Sequence, residues 1–373
     1  MSIEWVEVCT GSQLVLYLRG LSFMKYSGIG GQAVLEGVMM KNKKQYSVAV
    51  RKPDGEIDVQ VFDDNGLAGK HKILSKIPFV RGVLSFVDSL VLGMSILTYS
   101  SSFYEEEEKK DPDKKGTFEK IFGDKAESVA TTLTVIVSII ISIGLFMLLP
   151  YFAAELCTKF VKSPSLIAII EAVIRLALFL IYVVAISLMK DIRRLYQYHG
   201  AEHKCINCIE AGRPLTVKNV RRASRQNRRC GTSFLLLVMI VSIILFFFIR
   251  VDQYYLRILL RILLIPVIAG VAYEILRFAG RHDNILVRII SAPGLWLQLL
   301  TTKEPDDEMI EVGIAAVEAV FDWEKFENKH FKRRMVKKTK KMDDGTIVET
   351  GDETMEISVL EIKEQLAKEK EDE

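Results

Sequence analysis

Four long apolar segments constrain the fold of this chain more than any other feature of its sequence. Each is long enough to cross a bilayer, which requires about 20 helical residues. They are Val129–Tyr151, Leu166–Met189, Phe234–Ile249 with its flanks, and Leu256–Phe278. Because 50% of the residues are hydrophobic while 26% are charged, the two kinds of residue must be segregated along the chain. The sequence therefore predicts an α-helical polytopic membrane protein with about four transmembrane helices.

The loops between these segments differ strongly in charge. Between Lys190 and Ser233 there are eleven Lys and Arg residues and three acidic residues. The loops Glu155–Pro164 and Arg250–Arg257 are short and weakly charged. The positive-inside rule then puts the basic loop in the cytoplasm, and an even number of spans puts both termini there as well.

The residues before the first span predict a small cytosolic β-rich domain at 24–72. Tyr46–Phe62 reads as a β-hairpin, because alternating apolar residues flank a Pro-Asp-Gly turn. The glycine-rich run Gly28–Gly37 lacks the lysine of a phosphate-binding P-loop, so we interpret it as a tight turn into a strand. Residues 1–23 do not resemble a signal peptide and read as an extension or a mis-assigned start, since Met24 could equally begin the protein.

The remaining segments complete the predicted organisation. Residues 73–104 have the period of an amphipathic helix that lies in the membrane interface, and 105–127 form a charged linker. The transmembrane bundle occupies 128–300, with a cytosolic loop at 190–232. Asn284–Leu300 within the bundle is predicted to be interfacial or re-entrant, because Arg288 and a Pro293-Gly294 break interrupt it. A cytosolic helix at 301–322 and a charged tail at 323–373 follow.

The segment Tyr198–Glu210 concentrates the residue types that bind metals. It contains His199, Glu202, His203, Cys205, Cys208 and Glu210. Imidazole, thiolate and carboxylate groups are the ligands of a borderline metal such as zinc. The sequence therefore places its candidate chemistry beside the second span, at the membrane surface.

A helix that continued past Met189 would bring four of these side chains onto one stripe. At 100° per residue from Asp191, the angular positions are about 20° for Glu202, about 80° for His199, about 100° for Glu210 and about 120° for His203. His-x-x-Glu-His is the inverted zincin pattern, in which the two histidines bind zinc and the glutamate is the general base. Such a site needs a third protein ligand. The candidates are Glu210, Asp191 and Glu274.

The cysteines allow a second arrangement. On a continuous helix Cys205 and Cys208 point away from the histidine stripe. If the chain instead bends at Gly200, or the helix ends near Lys204, both could join Cys230 and a histidine in a closed Cys₃His structural site. The sequence leaves the two arrangements open.

Five arginines lie within nine residues of the basic loop. They are Arg221, Arg222, Arg225, Arg228 and Arg229. We interpret them mainly as topogenic charges that pair with the anionic headgroups of membrane lipids. Recognition of a phosphorylated or acidic substrate by guanidinium groups is the alternative. Nucleic acid is not expected as a partner, because no aromatic residues are interleaved with the arginines.

Several long motifs resemble those of a known family. They are GGQAVLEGVMM (Gly30–Met40), RKPDGEI (Arg51–Ile57), MKDIRRLYQYHGAEHK (Met189–Lys204), RRCGTSFL (Arg228–Leu235) and TTKEPDDEMIEV (Thr301–Val312). The chain resembles the YqhQ-like family of uncharacterised bacterial membrane proteins, which are predicted to be metal-dependent enzymes. The resemblance covers roughly Tyr26–Phe321 and implies a location in the bacterial cytoplasmic membrane.

The resemblance also implies site residues. The positions typical of the family are His199, Glu202, His203, Glu210 and Cys230. Cys205 and Cys208 stand where many members carry other residues, which weakens a site built on the two of them. The extension at residues 1–23 also departs from the family pattern.

Three functional hypotheses follow. The first is a zinc-dependent hydrolase at the cytosolic membrane surface that acts on a lipid headgroup or a peptide. His199 and His203 would bind the metal with Glu210 or Asp191, and Glu202 would be the base. The second is a scaffold that holds a protein partner through its basic loop and tail. The third is transport through Glu171, Arg175 and Glu274, although acidic and basic residues within spans more often stabilise a helical bundle.

Overall fold

The protein forms two units in a computed structural model, residues 1–326 and residues 327–373. The structure describes residues 25–64, 66–70, 73–104, 126–249, 251, 253–280, 282, 284–331, 339–341 and 347–349. The smaller unit contains a pair of antiparallel strands, Thr339–Lys341 and Ile347–Glu349. The predicted extension at 1–23, most of the predicted linker and most of the predicted tail lie outside the described residues.

The described chain begins with four strands and continues mainly as helices. The strands are β1 (Gly30–Val34), β2 (Gly37–Asn42), β3 (Gln45–Arg51) and β4 (Ile57–Asp63). The helices are α1 (Leu67–Lys70), α2 (Val80–Ser102), α3 (Ala126–Ile143), α4 (Leu149–Leu156), α5 (Pro164–Ser187), α6 (Lys190–Glu210), α7 (Val217–Arg221), α8 (Gly231–Phe248), α9 (Tyr254–Leu263), α10 (Ile265–Ala279), α11 (Ile285–Thr301), α12 (Asp307–Val320) and α13 (Trp323–Phe331). A π-helical turn, Gly144–Leu148, joins α3 to α4. The predicted combination of a helical membrane protein with a small β-containing part is confirmed.

The four strands form one antiparallel sheet in the order β1-β2-β3-β4. Tyr46 pairs with Phe62, as the predicted hairpin requires. Most of the glycine-rich run Gly28–Gly37 forms strand β1, and the turn at Leu35 and Glu36 follows that strand within the run. Glu36 in that turn has a φ of 50°, which is costly for a residue with a side chain. Its carboxylate accepts hydrogen bonds from Arg194 and Tyr198, so the strained turn is held against α6.

In the part of the chain that the structure describes, five helices are long and apolar enough to cross a membrane. They are Val80–Ser102, Thr132–Lys159, Pro164–Ser187, Gly231–Phe248 and Tyr255–Ala279. Many of their apolar side chains are exposed, as expected where lipid surrounds a helix. Four of the five correspond to the predicted spans, and the chain is a multi-pass membrane protein. The additional one is α2, which we predicted to lie in the interface.

Helix α2 contacts the bundle with its first turns and the sheet with the rest of its length. Gly82 packs on α10, and the ring of Phe86 lies 5.4 Å from that of Phe234 in the first turn of α8. Further along, Asp88 accepts a hydrogen bond from the backbone of Leu67, and Ile96 is buried against the strands. Half of α2 therefore lies beyond the end of the bundle, beside the sheet. Its placement in the membrane interface stays a prediction.

Helix α11 is not interrupted at Pro293-Gly294, where the sequence predicted a break. The segment Ile285–Thr301 is one continuous helix with Pro293 inside it. Gly294 lies directly against the side chain of Ser233 on α8, where a Cβ would come within 2.7 Å of the hydroxyl oxygen. This close packing offsets the backbone hydrogen bond that proline removes.

A buried charge cluster, Glu171, Arg175 and Arg261, lies between the membrane helices. Arg261 donates to both carboxylate oxygens of Glu171, at 2.6 and 2.8 Å. Arg175 donates to the same carboxylate and, at 3.2 Å, to the carbonyl of Phe146 in the π-helical turn. Glu171 and Arg175 lie four residues apart on α5 and form an ion pair. Sequence reasoning missed Arg261. Glu274 is separate from this cluster and pairs with Arg81 of α2.

Candidate metal centre

Helix α6 carries most of the candidate site and is separate from the span before it. Met189 is extended, with φ −68° and ψ 134°, so α6 begins anew at Lys190. Every residue from Gly200 to Glu210 is buried. At Gly200 a Cβ would overlap the carbonyl oxygen of Lys303, so the glycine lets the chain after α11 lie directly on α6.

Two histidines and one cysteine converge at this end of the bundle. His199 and His203 occupy adjacent turns of α6, with ring centroids 4.4 Å apart. Cys230 caps the N-terminus of α8, and its Sγ lies 3.1 Å from His199 Nε2. The ligand atoms of the three residues all lie within 4.8 Å of one another.

Backbone carbonyls orient both imidazole rings. His199 Nδ1 lies 3.0 Å from the carbonyl oxygen of Thr301, and His203 Nδ1 lies 2.6 Å from that of Arg225. A carbonyl oxygen only accepts hydrogen bonds, so each ring must carry a proton on Nδ1. In the neutral tautomer this leaves the Nε2 lone pair of each ring available to a metal, the arrangement usual for histidine ligands.

Glu202 lies beside the two Nε2 atoms. Its Oε2 is 3.8 Å from the Nε2 of His199 and 3.8 Å from that of His203. Burial raises the pKa of Glu202 to about 7, against the opposing effects of His199 and of a hydrogen bond from the backbone N–H of Gly31. The sheet therefore reaches the site through β1 and holds the carboxyl group in place.

Gly31 is expected to be intolerant of any side chain. An added Cβ would lie 2.6 Å from Cγ of Glu202 and 2.7 Å from the carbonyl oxygen of Met39. We expect Gly31→Ala to lower the free energy of unfolding by about 1–3 kcal/mol, since either the strand or the glutamate must move. The neighbouring Gly30→Ala is the matched control, because none of the described residues packs within 4 Å of its Cβ position. Chemical unfolding in detergent measures both, and equal effects of the two variants would contradict the prediction.

The structure does not bring the other predicted acidic ligands to the imidazoles. Asp191 is exposed in the first turn of α6, about 12 Å along the helix from His199. Glu210 lies about 10 Å beyond His203 on the same axis. Its carboxylate forms an ion pair with Arg229 and accepts a 2.8 Å hydrogen bond from the Ser27 hydroxyl.

Cys205 and Cys208 belong to the hydrophobic core between the sheet, α6 and α12. The Sγ of Cys205 lies against Gly313 of α12. Burial raises the pKa of the Cys205 thiol well above its usual value. Cys208 donates to the carbonyls of Arg213 and Pro214. The bend required for a Cys₃His site is not present, since α6 is continuous through Gly200.

Comparison of this chain with known proteins identifies its family, whose function is described as unknown. The family described as "Protein of unknown function (DUF1385)" matches residues 77–323. "Uncharacterized protein YqhQ" of Bacillus subtilis (strain 168) is 39% identical over 294 residues, which cover 76% of this chain and 89% of that protein. No solved structure matches the chain.

Proposed function

Since this chain belongs to DUF1385, whose description is that of proteins of unknown function, its activity has to be inferred from its side chains, and we propose a zinc-dependent hydrolase at a membrane surface. The resemblance to the YqhQ-like family is confirmed by the 39% identity to YqhQ. The proposal rests on one observation. Two imidazoles with their Nδ1 atoms bound to carbonyl oxygens and a cysteine sulfur have ligand atoms within 4.8 Å of one another.

The three residues fit zinc in kind and in spacing. Histidine nitrogen and cysteine sulfur are the usual zinc ligands, and a tetrahedral centre separates such atoms by about 3.3–3.6 Å. The ligand atoms here lie within 4.8 Å of one another, so small side-chain rotations complete the geometry. Three protein ligands with a fourth position open are typical of catalytic rather than structural zinc.

Each residue then has a distinct task. A bound zinc would supply a Lewis acid that polarises a carbonyl or phosphoryl oxygen of the substrate. His199, His203 and Cys230 hold it, while the carbonyls of Thr301 and Arg225 keep the rings oriented. Glu202 lies close enough to the site to accept and return a proton, and burial by β1 keeps bulk water from its carboxylate.

Metal analysis of the purified full chain in detergent tests the proposal. We expect about one zinc per chain in the wild type and less than about a tenth of that in His199→Ala, His203→Ala and Cys230→Ser. Cys208→Ala is the matched control, because that thiol is buried in the core away from the histidines; it should keep its metal. Glu202→Gln should also keep it.

Circular dichroism and gel filtration of each variant separate loss of the metal from loss of the fold. A wild-type protein that binds no metal after incubation with zinc, or a folded His199→Ala variant that retains it, would refute the proposal.

A cysteine nucleophile is the second candidate function. The 3.1 Å contact between Cys230 Sγ and His199 Nε2, with His199 oriented by the Thr301 carbonyl, has the order of nucleophile, base and orienting group. This alternative gives His203 and Glu202 no role. Rapid alkylation of Cys230 that zinc does not slow would favour it.

The orientation in the membrane is also proposed. Lys25 donates its backbone N–H to the carbonyl of Glu210, so the first described residues lie at the same end of the bundle as α6 and the basic loop. We place this end in the bacterial cytoplasm, because its loop carries the excess of arginine and lysine, and both termini with it. Reporter fusions at each terminus would check the assignment.

A further inference from the structure

The segment of residues 221–229, called here the arginine loop, has a backbone that α6 holds in one conformation. Side chains of α6 donate to the carbonyl oxygens of five of its nine residues. Lys204 Nζ donates to Arg221 (2.8 Å) and Ala223 (3.0 Å), Asn207 Nδ2 to Ser224 (2.6 Å) and Gln226 (2.9 Å), and His203 Nδ1 to Arg225 (2.6 Å). On the other side, Gln298 of α11 hydrogen-bonds both the N–H and the carbonyl of Asn227.

A loop that only sets membrane topology needs charge but no fixed conformation. This loop is fixed by a buried lysine, Lys204, whose ammonium group adds positive charge beneath a run of arginines. Glu304 pairs with Lys204 at 2.5 Å. This ion pair offsets the charge of Lys204 but not the charges of the arginines. Clustering like charges costs free energy unless a ligand of opposite charge binds them. The fixed backbone therefore indicates a binding surface.

Two arginines of the loop are already neutralised. Arg221 pairs with Asp307, and Arg229 pairs with Glu210. Arg222 is exposed and Arg225 is half-buried. Among the residues that the structure describes, neither of these two guanidinium groups has an ion pair or a hydrogen bond. They are the groups left to receive an anion.

We propose that Arg222 and Arg225 bind a phosphate group of the substrate on which the metal centre acts. This inference rests on the proposed function and specifies its substrate class. The arginine loop and the residue after it supply the two unpaired guanidinium groups, the carbonyl that orients His203, and Cys230. The proposed phosphate-binding residues are therefore close in sequence to the proposed metal ligand. Guanidinium groups suit phosphate because their planar N–H donors pair with two oxygens at once.

Binding measured without turnover tests this inference apart from the metal. The purified full chain in detergent is titrated in mixed micelles with phosphatidylglycerol, a net anion, or with phosphatidylcholine, whose choline cation balances the charge of its phosphate. Inorganic phosphate is titrated separately, and every titration is done with zinc and with EDTA. We expect the double variant Arg222→Gln/Arg225→Gln to bind phosphatidylglycerol about 30-fold more weakly than the wild type. The double variant Lys159→Gln/Lys162→Gln removes the same charge between α4 and α5, and it should bind like the wild type.

The lipid and inorganic phosphate titrations distinguish a lipid headgroup from a soluble phosphorylated compound. Saturable binding of phosphatidylglycerol alone identifies a lipid headgroup, and comparable binding of inorganic phosphate identifies a soluble phosphorylated compound; either supports the inference. Equal weakening in the lysine variant, or no preference of the wild type for phosphatidylglycerol or phosphate over phosphatidylcholine, overturns it. Binding that persists in EDTA while no metal is found would retain the phosphate site and reject the zinc centre.

Discussion

Replacing Gly200 by alanine is expected to lower the free energy of unfolding by about 3 kcal/mol and to weaken metal binding at the same time. The new Cβ would overlap the carbonyl oxygen of Lys303, which is backbone and cannot rotate away. The segment after α11 would have to move off α6. Thr301, two residues earlier, orients His199 through its carbonyl, so that ring loses its fixed direction. Loss of such an outer partner typically costs 10–100-fold in metal affinity.

The measurements are chemical unfolding in detergent and competition for zinc with a chelator. Gly144→Ala is the matched control, because this helical glycine has nothing within 4 Å of its Cβ position. Its stability should change by no more than about 1 kcal/mol. A Gly200→Ala protein with wild-type stability and wild-type zinc affinity would show that the contact with Lys303 does not hold the site.

Replacing Glu171 by glutamine should destabilise the membrane bundle by about 3–5 kcal/mol. Glu171 is the acidic member of the buried charge cluster, and both Arg175 and Arg261 donate to it. Without the carboxylate, two guanidinium groups stay buried among apolar side chains with no counter-charge. The rings of Phe246 and Tyr151, over which Arg261 lies at 5.0 and 4.6 Å, replace only part of that interaction.

The sign of the charge left behind distinguishes this effect from simple loss of a contact. Arg261→Met leaves one arginine and one glutamate, a neutral pair, so it should destabilise less than Glu171→Gln. Glu155→Gln is the surface control: its carboxylate is half exposed and lies 3.8 Å from Arg257, and such pairs contribute about 0–1 kcal/mol. Thermal unfolding in one detergent ranks the three. A Glu171→Gln variant as stable as Glu155→Gln would contradict the prediction.

The part of the site carried by one helix could be predicted from the sequence. His199, Glu202 and His203 recur at helical spacing, and a regular helix fixes which of them share a face. The same reasoning separated Cys205 and Cys208 from the histidines, and the structure places both in the core. Similarly, alternation predicted the hairpin, and length and hydropathy predicted the spans, because each depends on neighbours along the chain.

The features of the site that the sequence did not predict depend on contacts between distant segments of the chain. Periodicity does not show that the carbonyl of Thr301 contacts His199, or that the backbone of Gly31 contacts Glu202. Every residue has these backbone groups, so the residue type does not reveal which of them bind a side chain. The sequence offered Cys230 only in a Cys₃His arrangement that is not present and through the resemblance to a family. Arg261 joins Glu171 from a helix 90 residues away. Asp191 and Glu210 share the histidines' helix, but angular position on a helix does not measure distance along its axis.

The spread of these contacts along the chain has a consequence for biogenesis. The hydrogen bond from His199 to Thr301 spans 102 residues, and Glu202 is held by Gly31 from near the other end of the chain. During synthesis the two imidazoles emerge long before α8 and α11 have been inserted. A nascent chain therefore exposes histidines that are not yet oriented, and the orientation of His199 is complete only once translation has passed Thr301. If the proposed zinc centre is correct, binding of zinc with full affinity would thus be a late event in assembly.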